Sequence, residues 1–361
     1  MKIAIDASIL EYDGRGISKA TVAFYQNFKR LYPEVELYLM QKKKLVTDFS
    51  VEHKKILSPF HLSEEQALND YFPSEIKKLN IDFVHFPFNG NNSEYFSSVR
   101  PKAGIISTIH DIIPAVIPYI YKMNRDDVAR YLAQVQKNID NSDILLTISE
   151  CAKQDIEEHL TLKNKLSVIY NSYFSHIPSD TRNKYGKYFL YNGGYCPRKG
   201  IEQLVDNFLQ LKLRDLLESK LILTGKEAPL SPRFEALKKH GKSRGWIIET
   251  GYIPDEELFN LFMNAQALVY PSRYEGFGLP PLEAMNLGCP VITTRYSSLP
   301  EVCGDAAYYI DRDNEEDFQA ALIKMEQDEN MRQSLIAAGK QQTLKFSWEK
   351  SARKFMEILQ Q

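Results

Sequence analysis

The chain has 361 residues, 43% hydrophobic and 25% charged, a balance that supports two cores of ordinary size and excludes a disordered protein. A formal net charge of -2 provides no global basic field for nucleic acid, so an anionic partner must be small and met by a local patch. Four cysteines, Cys151, Cys196, Cys289 and Cys303, form no CxxC pair and no zinc spacing, as expected in a reducing compartment.

The opening run, MKIAIDASIL, carries one lysine and is broken by Asp6, which predicts a first strand, not a secretion signal, and a cytoplasmic protein. Short apolar runs then recur with helix-like segments between them: VELYLM at 35–40, DFVHFPF at 82–88, IISTIHD at 105–111, DILLTIS at 143–149 and LSVIYNS at 166–172. That rhythm predicts βα units on a parallel sheet. Ile17, Ala20, Phe24, Phe28 and Leu31 recur at three- and four-residue steps and predict one helical face against the sheet. The longest apolar stretch, Gly104 to Tyr121, holds His110, Asp111, Pro114 and Pro118 and lacks the unbroken apolar run of a membrane helix. Basic runs at Lys42, Lys43, Lys44 and at Lys54, Lys55 read as solvated faces that leave peripheral contact with anionic lipid open.

A polar, turn-forming segment from Ser175 to Gly186 predicts a linker, after which a second series follows: YFLYNGG at 188–194, LILTGK at 221–226, WIIETGYI at 246–253, ALVYPS at 267–272, PVITTRY at 290–296 and AAYYID at 306–311. The fold class is therefore α/β, with Rossmann-like domains at 1–178 and 187–345 facing each other across a cleft, where ligands of parallel sheets bind. In the last segment, 346–361, Trp348, Ala352, Phe355 and Leu359 form a stripe at helical spacing that reads as core.

The segment YPSRYEGFGLPPLEAMNLGCPVI, 270–292, ends a strand, turns through Gly276 and Gly278, and opens a helix at Pro280. Glycines admit backbone N–H groups close to an anion, and the helix start adds its positive end. Glu275 and Glu283 flank the loop with seven residues between them; carboxylates beside an anion site suit sugar hydroxyls, although an acidic residue in a first helical turn is also ordinary. Upstream, NGGYCPRKG at 192–200 sets Arg198 and Lys199 in a strand-to-helix loop, where two cations neutralise a departing phosphate. Near the start, DASILEYDGRGISKA turns at Gly14 and Gly16, but Lys19 stands where a dinucleotide fingerprint needs glycine, which disfavours a dehydrogenase. His110 and Asp111 end a predicted strand. Asp311-Arg312-Asp313 has the DxD spacing of a metal site, but its acidic run, DRDNEED, reads as a solvated turn.

Glu275, the Gly-Phe-Gly-Leu-Pro loop and Glu283 together resemble the EX7E signature of the retaining glycosyltransferase family 4, of the GT-B fold. The resemblance covers nearly the whole chain and is most specific from Tyr188 to Ile310. It implies that Glu275 contacts hydroxyls of the transferred sugar and that backbone groups at Gly276, Phe277, Gly278 and Leu279 surround sugar and diphosphate. Glu283 would hold the ribose, and the backbone near Tyr252 and Ile253 would lie along the base. Lys199, with Arg198, would grip the pyrophosphate; many members carry an arginine where this chain has Gly194, so the division of labour between the two stays open. The resemblance further implies a glycine loop at Gly14 and Gly16 closing on the diphosphate and acceptor, and His110 near the reacting sugar.

By the same resemblance, the first domain takes the acceptor, the second binds the nucleotide sugar, and the C-terminal helix packs back on the first. The site would need no metal and no cofactor beyond the donor. Similarity to bacterial O-antigen and exopolysaccharide mannosyltransferases points to GDP-mannose as donor and a saccharide or lipid-linked saccharide as acceptor, with peripheral contact at the inner face of the membrane and no nucleic acid. The alternatives are a UDP-sugar transferase of glucose or N-acetylhexosamine, a GT-B sugar-nucleotide 2-epimerase, and a non-catalytic sugar-binding protein.

Overall fold

The computed structural model describes residues 1–11, 16–88, 100–174, 179 and 181–361. The chain divides into two compact units, one formed by Met1–Ser172 with Ser347–Gln361 and the other by Tyr173–Phe346.

In the first unit the strands are β1 (Lys2–Asp6), β2 (Glu36–Gln41), β3 (Lys54–Leu57), β4 (Phe83–Phe86), β5 (Gly104–Thr108), β6 (Ile144–Thr147) and β7 (Leu166–Val168). They form one sheet in the order β3-β2-β1-β4-β5-β6-β7, all pairs parallel. β3 is not among the predicted strands: its single buried residue, Ile56, follows two exposed lysines and precedes exposed Leu57, too short a signal to separate from a polar loop. Its lysines, Lys54 and Lys55, are exposed. The helix Gly16–Leu31 buries Ala20, Phe24 and Phe28. Phe355, from the helix Trp348–Leu359, packs edge-on against Phe24 and Phe28 with ring centroids 5.3 and 5.4 Å apart. The hydroxyl of Ser347 caps that last helix by accepting from the Lys350 amide. All four stripe residues, Trp348, Ala352, Phe355 and Leu359, are buried, and a buried aromatic of this size contributes about 1.5–3 kcal/mol.

The second unit contains β8 (Tyr188–Asn192), β9 (Lys220–Thr224), β10 (Ile247–Gly251), β11 (Ala267–Tyr270), β12 (Val291–Thr294) and β13 (Tyr308–Ile310), ordered β10-β9-β8-β11-β12-β13 and again parallel. The direction of winding reverses between β8 and β11, the position at which Rossmann-like sheets open a crevice at their carboxyl ends. Phe189, Tyr191, Leu268, Val269 and Tyr270 are fully buried in these central strands. Residues 175–178 and Asp180, part of the predicted linker from Ser175 to Gly186, lie outside the described residues. Among the described residues no helix is long and apolar enough to cross a membrane.

Candidate active site

The loop after β8 and the loop after β11 leave neighbouring strands on the same side of the sheet, so parallel pairing brings together residues as far apart in sequence as Arg198 and Glu275. After β8 the chain makes a single 3-10 turn, Pro197–Lys199, closed by Gly200 at φ +71°. A Cβ there would lie 2.3 Å from the carbonyl oxygen of Pro271, so both the left-handed backbone and the close approach to the β11 loop require glycine. Arg198 and Lys199 are thereby held against that loop.

There the Arg198 guanidinium lies 2.8 Å from Oε1 of Glu275, and the Lys199 ammonium 4.0 Å from the same oxygen. Arg198 also donates to the carbonyl of Tyr274. The hydroxyls of Tyr270 and Ser272 donate to Oε1 at 2.8 and 2.7 Å, and Lys199 donates to the Tyr270 hydroxyl at 3.0 Å. Burial alone would push the Glu275 carboxyl up, but Lys199 and Arg198 outweigh it and hold the group down to about 2. Burial lowers the Lys199 ammonium from its ordinary value, partly offset by Glu275. The result is a desolvated carboxylate beside two desolvated cations.

The backbone of the loop is strapped from the segment after β12. The Glu275 amide donates to the Ser297 hydroxyl at 2.8 Å, and the Ser298 hydroxyl donates to the carbonyls of Glu275 and Phe277 at 2.9 and 2.7 Å. Gly276, Phe277 and Gly278 are buried, and Gly278 takes φ +110° at the start of the helix Leu279–Asn286. No side chain caps that helix at Gly278, and Pro280 and Pro281 bring no N–H, so its first turn has few donors to satisfy. Glu283 is buried in the same helix at 8% exposure. Tyr252, 63% exposed, and half-buried Ile253 follow β10, two strands from β8.

Arg312 corrects the expectation of a solvated turn at 311–313. Asp311 and Asp313 are exposed, but Arg312 is 2% exposed and donates to the carbonyls of Arg198 and Pro271 at 3.0 Å each. Asp313 accepts from Arg273 at 2.6 and 2.8 Å. Among the described residues no cluster of three or more His, Cys, Asp or Glu has metal-binding geometry.

In the first unit Gly16 begins the helix Gly16–Leu31, whereas Gly14 lies outside the described residues. His110 follows β5 and is buried; its Nε2–H donates to the carbonyl of Pro87 at 2.8 Å. Burial brings it down to about 4, so it is neutral at ordinary pH. His85 is brought down to about 3 by burial and by His110, and its ring bridges the hydroxyls of Tyr25, at 2.5 Å, and Thr108, at 2.8 Å. These residues border a cavity of about 50 Å³ that also touches Tyr170 and Trp348, room for a few water-sized groups.

Arg198, Lys199 and Glu275, each marked by its local turn in the sequence, meet in the structure; Tyr270, Ser272, Ser297, Ser298, Gly200 and Arg312, which hold them there, are not among the residues the sequence marks. The spacing from Tyr270 and Ser272 to Glu275 was visible, though a strand end offers no mark of a polar role. Ser297 and Arg312 act across 22 and 114 positions, with no local signal at all.

A buried carboxylate beside two cations, next to a glycine-turned helix start, suits a molecule that joins hydroxyls to a phosphoanion. Nucleotide sugars do so, and two consecutive Rossmann-like units recur in the GT-B glycosyltransferases that use them. Residues 175–342 match the family model described as Glycosyl transferases group 1. Over 260 residues the chain is 32% identical to O-antigen chain mannosyltransferase B of Escherichia coli, covering 68% of this chain and 67% of that one. It is 26% identical over 297 residues to the serotype-specific mannosyltransferase WbdA of Escherichia coli, covering 77% of this chain but only 36% of WbdA's length. Sucrose-phosphate synthase from Thermosynechococcus elongatus shares the fold with a TM-score of 0.77 at 18% identity, over 99% of this chain and 98% of that one. The chain belongs to the glycosyl transferases group 1 family.

Proposed function

We propose that the protein is a retaining mannosyltransferase that moves mannose from GDP-mannose to a saccharide or lipid-linked saccharide acceptor in cell-surface polysaccharide synthesis. The meeting of Arg198, Lys199 and Glu275 on one carboxylate oxygen carries the reading of the donor site. The mannosyltransferase names of the similar proteins support the sugar. Arg198 and Lys199 take the diphosphate, Glu275 takes hydroxyls of the sugar, and backbone at Gly276, Phe277, Gly278 and Leu279 surrounds both. Glu283 takes the ribose, and the backbone at Tyr252 and Ile253 the base. The first unit takes the acceptor, with Gly16 in the loop that serves diphosphate and acceptor and His110 near the reacting sugar.

The chemistry is a front-face displacement. The bond from the anomeric carbon to the leaving diphosphate oxygen breaks, the acceptor hydroxyl bonds to that carbon from the same face, and its proton passes to the departing diphosphate. Arg198 and Lys199 stabilise the charge that develops there. Attack from the departing face retains the configuration.

Peripheral membrane contact is supported by exposed Lys43, Lys44 and Lys55 near the exposed apolar side chains of Val46, Leu57 and Phe60, where β2 and β3 end side by side with Gln41 opposite Leu57.

A panel of GDP-mannose, UDP-glucose and UDP-N-acetylglucosamine, each with and without a lipid-linked saccharide acceptor, tests the function. GDP-mannose should be consumed in an acceptor-dependent way, and NMR of the product should show the donor's anomeric configuration. Preference for a UDP-sugar replaces the donor, epimerisation of the nucleotide sugar without acceptor replaces the reaction, and an inverted linkage rejects the mechanism.

A further inference from the structure

Tyr270 ends β11 and is completely buried. Its hydroxyl stands between the two groups on which the donor site depends: it is 3.0 Å from Nζ of Lys199 and 2.8 Å from Oε1 of Glu275, while those two atoms are 4.0 Å from each other. The polarity of this chain is forced. An ammonium can only donate and a carboxylate only accept, so the tyrosine hydroxyl accepts from Lys199 and points its own proton at Glu275.

We propose that Tyr270 is a positioning residue, a spacer whose hydroxyl keeps Lys199 and Glu275 from closing into a direct ion pair and so keeps both ready for substrate. This inference rests on the reading of Lys199 as a diphosphate ligand and of Glu275 as a sugar ligand. An ammonium and a carboxylate in direct contact lie at about 2.7–2.9 Å. In a buried, weakly screening site the attraction between them is strong, and a pair left to itself closes to that distance. Closure would commit a Lys199 N–H to Glu275 and draw the ammonium away from an incoming anion. With the hydroxyl interposed, Lys199 spends one of its three N–H groups on a neutral partner. Glu275 collects Tyr270, Ser272 and Arg198 on Oε1, and Oε2 takes part in none of these contacts. The hydroxyl is suited to the task because burial raises its pKa well above the ordinary tyrosine value, so it stays a neutral donor and acceptor throughout the working range.

The test is a double-mutant cycle on nucleoside diphosphate binding, measured calorimetrically with GDP and with UDP. Tyr270→Phe keeps the ring packed in the sheet and removes only the oxygen, and a single cooperative melting transition above the temperature of the binding measurement serves as the control for folding. The variant should weaken diphosphate binding about tenfold, the size expected of a lost hydrogen bond to a charged group. In a Lys199→Ala background the same substitution should change binding by less than about twofold, because no ammonium remains to be held apart. A Glu275→Gln background should likewise abolish the effect, since nothing then draws the ammonium in. Equal weakening in all backgrounds would mean that Tyr270 acts through packing alone, and an unchanged affinity in Tyr270→Phe would mean that no spacer is needed; either result overturns the proposal. If Lys199→Ala by itself binds as tightly as wild type, or if neither nucleotide binds at all, the donor-site reading fails and the spacer with it.

Discussion

Arg312 and Arg198 stand 114 positions apart, yet Nη1 of Arg312 donates to the carbonyl of Arg198 at 3.0 Å and to the carbonyl of Pro271 at the same distance. One buried guanidinium thus ties the turn that carries Arg198 and Lys199 to the loop that carries Glu275. The amide of Arg273 donates to the same Arg198 carbonyl at 2.8 Å, so the two loops are joined by backbone as well as by side chain. Arg312→Ala should leave the Pro271 carbonyl short of a donor in a dry site, at a cost of about 1–3 kcal/mol. Urea denaturation measures the loss, and the loosened loops should bind nucleoside diphosphate more weakly. Wild-type stability together with wild-type binding would show that the tie is dispensable.

Lys199 and Glu275 should separate by ligand. Lys199→Ala removes a charge-assisted contact and should weaken free nucleoside diphosphate about ten- to a hundredfold, with transfer slowed in parallel. Glu275→Gln keeps the shape but removes the negative acceptor, so free diphosphate should bind nearly as before while sugar transfer falls sharply. Calorimetry with the diphosphate and an assay of transfer distinguish the two. Unchanged transfer in Glu275→Gln would remove that carboxylate from the chemistry.

Stability should fall on acidification in two windows. His85 and His110 are held at about 3 and about 4 in the folded protein, below the value of about 6.5 for an unfolded histidine. The unfolded chain therefore takes up protons first, and stability present above pH ~6.5 is lost as the pH falls toward those folded values, by up to about 1.4 kcal/mol per pH unit for each histidine. Glu275, held at about 2, contributes stability that is present above the ordinary glutamate value of about 4.3 and is lost as pH falls from there through about 2. Melting temperatures from pH 7.5 to 4 should decline, and His85→Gln should flatten that decline. An equally steep decline in the variant would show that His85 does not titrate as its burial demands.

Transfer should proceed with excess EDTA present. In the proposed donor site Arg198 and Lys199 would supply the positive charge that a metal would otherwise bring, and the carboxylate of Asp313, in the DxD spacing, is engaged by Arg273. Activity abolished by EDTA and restored by magnesium or manganese would return the DxD segment to the site.

The chain's periodicity alone made the parallel α/β class legible, because strands buried on both faces read as continuous apolar runs such as KIAID and ALVY. The same pattern passed over β3, an edge strand with exposed lysines and only Ile56 buried, since an edge strand needs few apolar residues to hold its place. Arg198, Lys199 and Glu275 were legible because each lies in a short glycine-rich turn with local chemistry. Their grouping on a single oxygen was not.

By itself the sequence determined the kinds of element, the turns that need glycine and the charged residues available to a donor site, since these depend on spacing and residue type within a few positions. The reversal of strand order between β8 and β11, which sets the Lys199 turn beside the Glu275 loop, was decided only by tertiary structure. So were the burial of Arg312 within an acidic run and the place of the Tyr270 hydroxyl between an ammonium and a carboxylate. The physical reason is common to all three. A buried charge or hydroxyl is satisfied by whichever partners the sheet delivers to it from distant parts of the chain, and no local pattern of residues records who those partners will be.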